Sequence, residues 1–510
     1  MESREPNERG VAYRIEDVLV DLHVAQTTAI PPVRDKVGSM DADQSASAGS
    51  QRLIVVANRL PVRWDDGSGQ WVTSPGGLVS ALEPVLAARH GVWVGWSGVP
   101  GGTEDPFEVG GIQQVPVPLS ASDIDLFYEG FCNGTIWPLY HDAIRPVELH
   151  RHWWHPYVDV NRRFAEAVAR IVRPGDIVWV QDYQLQLVPG MLREMGIENR
   201  IGFFLHIPFP PVEIFGRLPW REKVVTGLLG ADVLGFQTHQ SMINFGRAAR
   251  SYGGASGPTE ALGYDGRVVR SETVPISIDA AEFEELSADE EVIAAAAELR
   301  ENLGSPDHII LGVDRLDYTK GIDQRLKAFE TLLSNRPDLR GTVVLIQVAV
   351  PSRENVGEYQ VIREDIERIV GRINGSYGGD GWVPVHYYYR SLERTELIAH
   401  YRAADVMLVT PLRDGMNLVA KEWVASRSGQ NGVLILSEFA GAAEQMSAAT
   451  LVNPYDVDAL ASALERAVEA DEDEQRAAIA TLHENVVLWD VHRWASHCLE
   501  SLEEVGRGAR

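Results

Sequence analysis

From Leu53 onward the chain alternates short, unbroken apolar runs with amphipathic stretches. LIVVA (53–57), VWVGW (92–96), DIVWV (176–180), IGFFL (201–205), DVLGF (232–236) and VVRSETVPI (268–276) form a first series. Runs of this length without polar alternation suit strands buried on both faces of a parallel sheet. Between them, LVSALEPVLAARH (78–90) and LVPGMLREMG (187–196) carry helical periodicity, the second ending on a glycine stop. A Glu-rich helical patch over 282–303 follows, and the rhythm restarts. HIILGV (308–313), TVVLIQVAV (342–350), VPVHYYY (383–389), DVMLVT (405–410) and GVLILS (432–437) make a second series. Two such β/α series predict an α/β protein of two Rossmann-like, doubly wound domains with a cleft between them. The expected boundaries are 51–275 for the first domain and 276–485 for the second. A helix over 486–510 is expected to return to the first domain.

Residues 1–50 break the pattern. Asp35–Ser50 is small, polar and aperiodic, and the whole stretch reads as a disordered or extended tail without the apolar region of a signal peptide. Elsewhere no run approaches the roughly 20 apolar residues of a membrane span. Only two cysteines occur, Cys132 and Cys498, which points to a reducing compartment and no disulfide scaffold. A cytoplasmic location is expected. The charge changes the picture more. With 46 Lys and Arg against 73 Asp and Glu the chain carries −27, which disfavours nucleic acid and anionic membranes as partners. Cations that hold an anionic substrate must therefore be gathered locally.

In open α/β sheets ligands bind beyond the carboxyl ends of the strands. After LIVVA comes Arg59, a planar fork suited to phosphate, although taken alone a surface ion pair explains it better. Ser74-Pro75-Gly76-Gly77 opens a helix and can expose backbone N–H groups to an anion, or be an ordinary turn. Asp182 follows DIVWV and could accept from sugar hydroxyls or cap the next helix. His206 follows IGFFL on a loop stiffened by Pro208, Pro210 and Pro211. The strongest local signal is Asp314-Arg315-Leu316-Asp317-Tyr318-Thr319-Lys320-Gly321, then a helix. Two cations in one glycine-closed loop, beside a helix N-terminus, can converge on a diphosphate. Arg353 also sits just past a strand. Asp414-Gly415-Met416-Asn417 feeds a helix whose first amides, at Leu418 and Val419, can receive phosphate, and whose Glu422 can accept from ribose hydroxyls. Neither a Walker A loop nor a GxGxxG fingerprint is present. The Asp-x-Asp pairs at 123/125 and 456/458 and the His152-x-x-His155 pair read as structural, so no metal is expected.

ANRLPV, GWSG, FYEGFCNGTIWP, GFFLHIPFP, DRLDYTKG, RINGSYG and TPLRDGMNLVAKE together closely resemble the trehalose-6-phosphate synthases. These are retaining glycosyltransferases of the GT-B fold, and the likeness runs from about Leu53 to Asp456. It implies glucose transfer from a nucleotide donor (UDP-glucose, or ADP- or GDP-glucose) to glucose 6-phosphate, forming α,α-trehalose 6-phosphate. It implies no cofactor beyond the nucleotide-sugar co-substrate, and a homo-oligomer, dimer or tetramer. By the same resemblance Arg59, Tyr128, Trp137 and Arg353 hold the acceptor phosphate and Asp182 the acceptor glucose. Arg315, Lys320, Gly77, Leu418 and Val419 take the donor diphosphate, Glu422 the ribose, and His206 and Asp414 the transferred glucose. Arg315, Lys320, His206 and Asp182 are the expected catalytic set. One departure stands out: Gln181 and Gln184 replace histidines of the family's HDYHL motif. Two rival readings are a phosphorylase, which would need pyridoxal phosphate or a free-phosphate pocket, and a non-catalytic sugar-phosphate sensor, which should have lost some of these residues.

Overall fold

The computed structural model describes residues 51–65, 69–73, 77–102, 105–352, 357–379 and 381–505. The tail 1–50 and Arg353 lie outside them.

Each apolar run of the first series forms a strand of one nine-stranded sheet. Its order is Ala261–Tyr264, Arg267–Thr273, Val233–Phe236, Arg200–Leu205, Ile177–Gln181, Leu53–Arg59, Val92–Trp96, Ile112–Pro116 and Phe107–Val109. The seven inner strands pair in parallel. Antiparallel hairpin partners, Ala261–Tyr264 and Phe107–Val109, close the two edges. The second series builds a six-stranded, wholly parallel sheet, ordered Val385–Tyr388, Val343–Val350, His308–Arg315, Val406–Val409, Val433–Ser437 and Thr450–Val452. Central strands are buried along nearly their whole length, Val343–Val350 at every residue, which is why they read as continuous apolar runs.

The Glu-rich patch is two helices, Ala280–Ser287 and Glu290–Asn302, capped by Asp279 and Asp289. Asp123 completes a capping box with Ser120, and Asp456 caps Val457–Glu469, so these carboxylates are occupied at helix starts. The segment Ile124–Ile136 is a long π-helical stretch that runs into the short α-helix Trp137–Tyr140. Such wide turns are rare and concentrate at functional sites.

The chain crosses between the sheets twice. On the way out, Ile276 N–H donates to Gln237 Oε1 at 2.8 Å. On the way back, Trp489 Nε1 donates to Pro275 O at 2.6 Å and Val491 N–H to Ile278 O at 3.0 Å. The final helix, Val491–Val505, lies on the first sheet. Trp494 is fully buried there, 5.2 Å from Trp179 and 5.1 Å from Phe204 between ring centroids. Gly202 makes room for this helix, since a Cβ there would fall 2.8 Å from Leu502.

Candidate active site

The carboxyl ends of the two sheets face each other, and the loops that leave them meet. The tightest approach is backbone on backbone: a Cβ at Gly415 would stand 2.2 Å from the carbonyl oxygen of His206. Only glycine permits that contact.

On the first-domain side, Arg59 ends its strand with its guanidinium carbon 4.6 Å from the Trp96 ring centroid. Gly98, at φ 91°, leaves the space, because a Cβ there would lie 2.5 Å from Arg59 Nη2. Among the described residues no carboxylate pairs with Arg59, and its buried Nη1 has no hydrogen-bond partner. Burial pushes the guanidinium down to about 10, opposed by the nearby Tyr128. Tyr128 and Trp137 are buried aromatics on the π-helical stretch and the helix after it. The Trp137 ring lies 5.8 Å from Tyr183 and 4.2 Å from His141.

Asp182 adopts φ 68°, a left-handed conformation that side-chain-bearing residues reach only under constraint. Its N–H donates to Phe204 O at 2.8 Å, and its Oδ1 accepts from His206 N–H at 3.0 Å. It does not use its side chain to cap the turn Tyr183–Leu185. Burial lifts the carboxyl to about 7, against the backbone donors of His206 and Tyr183 and the charge of Arg315. His206 Nε2 sits 3.0 Å from Gln181 Oε1, and burial pushes the imidazole down to about 3, so it is neutral. An amide oxygen can only accept, so Nε2 carries the proton in this arrangement. Gln181 thus holds the edge of the His206 ring.

On the second-domain side, Arg315 ends the strand His308–Arg315 and reaches across to Trp137, 5.7 Å from its ring centroid. Lys320 closes the turn Tyr318–Lys320 and pairs with Asp414 Oδ2 at 2.6 Å. Burial alone would raise the Asp414 carboxyl, but the Lys320 ammonium leads the contacts that hold it below the usual carboxylate range. Asn417, at φ 95°, caps the helix Leu418–Ser426 by accepting from Ala420 N–H, and its Nδ2 donates to Asp414. The first-turn amides of Leu418 and Val419 have no intrahelical acceptor. Glu422 is buried in the same helix and accepts from Tyr401 O–H at 2.8 Å. Gly77 is the first residue of Gly77–Ala88.

The structure therefore gathers Arg59 with Tyr128, and Arg315 with Trp137 and, through its charge, with Asp182. It joins Asp182 to His206 and Lys320 to Asp414. Gly77, Leu418 and Val419 lie at helix starts. Beneath the second-domain loops lies a feature with no signal at the strand ends. Arg325, fully buried, donates to Asp314 Oδ2 at 2.7 Å and Gln347 Oε1 at 2.8 Å, and its Nε to Thr410 at 3.2 Å. It ties together three strands that lead into these loops. His141 was also not singled out. It lies at a helix terminus against Trp137, away from any strand end.

Comparison with known proteins identifies the family. Residues 51–504 match the model for glycosyltransferase family 20. A trehalose-6-phosphate synthase from Mycobacterium sp. (strain JLS) is 51% identical over 476 residues, covering 91% of this chain and 99% of that protein. The Escherichia coli trehalose-6-phosphate enzyme, solved with UDP-2-fluoro glucose, superposes with TM-score 0.83 at 37% identity, covering 89% of this chain and 99% of that one. A UDP-forming α,α-trehalose-phosphate synthase from Burkholderia xenovorans, solved with glucose 6-phosphate, gives 0.82 at 36%, covering 89% and 100%. Two doubly wound sheets, a cleft lined by opposed cations and a family match along nearly the whole described chain lead to one assignment: the protein belongs to glycosyltransferase family 20 and shares the GT-B fold of its trehalose-phosphate synthases.

Proposed function

We propose that this chain transfers glucose, with retention, from a nucleoside diphosphate glucose to glucose 6-phosphate, forming α,α-trehalose 6-phosphate. The observation that carries the reading is Arg315, a second-domain cation poised 5.7 Å from Trp137 and near enough to bear on Asp182, both first-domain residues. A donor diphosphate and an acceptor sugar held by these groups would meet in the cleft.

Arg315, Lys320 and the amides of Gly77, Leu418 and Val419 hold the diphosphate, and Glu422 the ribose. His206 and Asp414 orient the transferred glucose. Arg59, Tyr128, Trp137 and Arg353 receive the acceptor phosphate, and Asp182 the acceptor hydroxyls. A carboxylate nucleophile with a partner acid about 5–5.5 Å away is the glycosidase solution to retention. Here Asp414 is engaged by Lys320 and Asn417, and Asp182 by the His206 amide. That favours substitution on one face of the sugar. The bond from the anomeric carbon to the diphosphate oxygen breaks as the acceptor hydroxyl bonds to the same face. The hydroxyl proton passes to the departing phosphate oxygen. Arg315 and Lys320 neutralise the charge that develops there, and positioning supplies the remainder.

Uridine is the base we assign to the donor, since solved relatives are described as UDP-forming. The nucleotide sugar is then a co-substrate rather than a resident cofactor. No helix among the described residues is long and apolar enough to cross a membrane. A cytoplasmic homo-oligomer is what the resemblance to the family implies. Initial rates with UDP-, ADP- and GDP-glucose, each with glucose 6-phosphate, test the assignment. Turnover should be fastest with UDP-glucose; release of nucleotide with none of the three would overturn the reading.

A further inference from the structure

Residues 141–145 form a short turn that leaves the helix Trp137–Tyr140 and reaches the donor loops. Asp142 and Ala143 stand there at φ 58° and 54°, two consecutive non-glycine residues in left-handed backbone. Such backbone persists only where its surroundings over-determine it, and it concentrates at working sites.

Three contacts hold the turn. Asp142 Oδ2 lies 3.2 Å from Arg413 Nε, across the domains. The Arg145 guanidinium carbon stands 5.8 Å from the Tyr318 ring centroid. His141, buried, packs against Trp137 with ring centroids 4.2 Å apart and the planes tilted by 33°. Each second-domain partner adjoins a donor-side group: Arg413 precedes Asp414, and Tyr318 lies in the same short turn as Lys320. His141 Nδ1 is 2.7 Å from Trp137 O, and a carbonyl only accepts, so Nδ1 carries the proton and Nε2 is left an acceptor. Burial holds this imidazole neutral, down to about 4; Asp317 and Asp414 oppose that shift and Lys320 reinforces it. The ring is thus within electrostatic reach of the Lys320–Asp414 pair on one side while rooted on Trp137 on the other.

We propose that the turn 141–145 is a positioning element for glucosyl transfer. Rooted on the acceptor-side Trp137, it holds Lys320 and Asp414 in register with the acceptor. This rests on the assignment of Lys320 as the leaving-group cation. A turn that merely joined the domains would affect stability and substrate affinity; a positioning turn acts on the rate at saturation.

The test measures kcat at saturation of both substrates, Tm, and calorimetric binding of UDP and of glucose 6-phosphate. The variants are Asp142→Ala, Arg413→Ala, their double, His141→Phe and His141→Gln. Misplacement of reacting groups should lower kcat about ten- to a hundredfold in Asp142→Ala, Arg413→Ala and His141→Phe. The double should fall no further than the singles, because both remove one contact. His141→Gln, which keeps an acceptor, should recover part of the loss. Both affinities should stay within about twofold of wild type. Should His141→Phe not fold, the partly exposed Asp142 and Arg413 carry the test. Unchanged kcat in the variants, additive losses in the double, or losses confined to KM or matched by a fall in Tm would overturn the proposal alone. A wild-type protein that binds neither ligand would overturn the functional reading and this one with it.

Discussion

The two cation sites facing each other across the cleft are built on opposite plans. Lys320 is already paired, 2.6 Å from Asp414, in a surround of polar side chains and helix starts. Arg59 has no carboxylate partner among the described residues and lies against the face of Trp96 beside Tyr128. A paired cation is held in place before substrate arrives, and a buried pair is costly to break by removing one partner. Its field is oriented for charge that develops during reaction. An arginine held by aromatic packing keeps its fork for an incoming phosphate, which is present equally before and during the transfer. The donor side should therefore govern turnover, and the acceptor side affinity.

The comparison breaks first at Lys320. Lys320→Ala should lower kcat/KM by about a hundredfold or more, most of it in kcat. Steady-state rates with both substrates varied would show this; a near-normal kcat would remove the distinction. Arg59→Ala should instead raise KM for glucose 6-phosphate by about ten- to a hundredfold while leaving the donor KM near wild type, as loss of a charge-assisted contact does. The reverse pattern would place Arg59 at the wrong substrate.

The smallest effect lies between the two sites, at Asp182. Its folded carboxyl is raised to about 7 by burial, above the ordinary value of 3.8. The stability it contributes is full below that ordinary value and is lost as pH rises through about 7. Asp182→Asn should therefore raise Tm at pH 8 by about 2–4 °C and leave it little changed near pH 4. Thermal melts at the two values would decide it. An equal shift at both would mean that ionisation is not the cause.

The sheets were legible because strands buried on both faces must be continuously apolar, and every inner strand but Ile112–Pro116, whose IQQVP is interrupted by two glutamines, falls on a run seen in the sequence. What escaped were elements without that signature. Phe107–Val109 and Ala261–Tyr264 are short, partly exposed edge strands. Ile124–Ile136 is a π-helix, whose period matches neither template. At the site, strand ends revealed Arg59, Asp182, His206 and Arg315 one at a time. The junctions between them are tertiary facts. Nothing local in Asp414 announces Lys320, 94 positions away, nor does Trp137 announce Arg315. His141 and Arg325 lie in a helix terminus and a helix interior, where a polar residue among apolar ones reads as ordinary core.

The returning helix has a consequence for the order in which the molecule is made. Ribosomes deliver the first sheet long before Val491–Val505, and domains tend to fold in the order they emerge. Until the last turns leave the tunnel, Trp179 and Phe204 lack the Trp494 indole that covers them in the finished protein. The nascent first domain therefore waits, with an apolar face uncovered, through synthesis of the entire second domain. A stalled or shortened message would release a product incomplete in the half it had seemed to finish first.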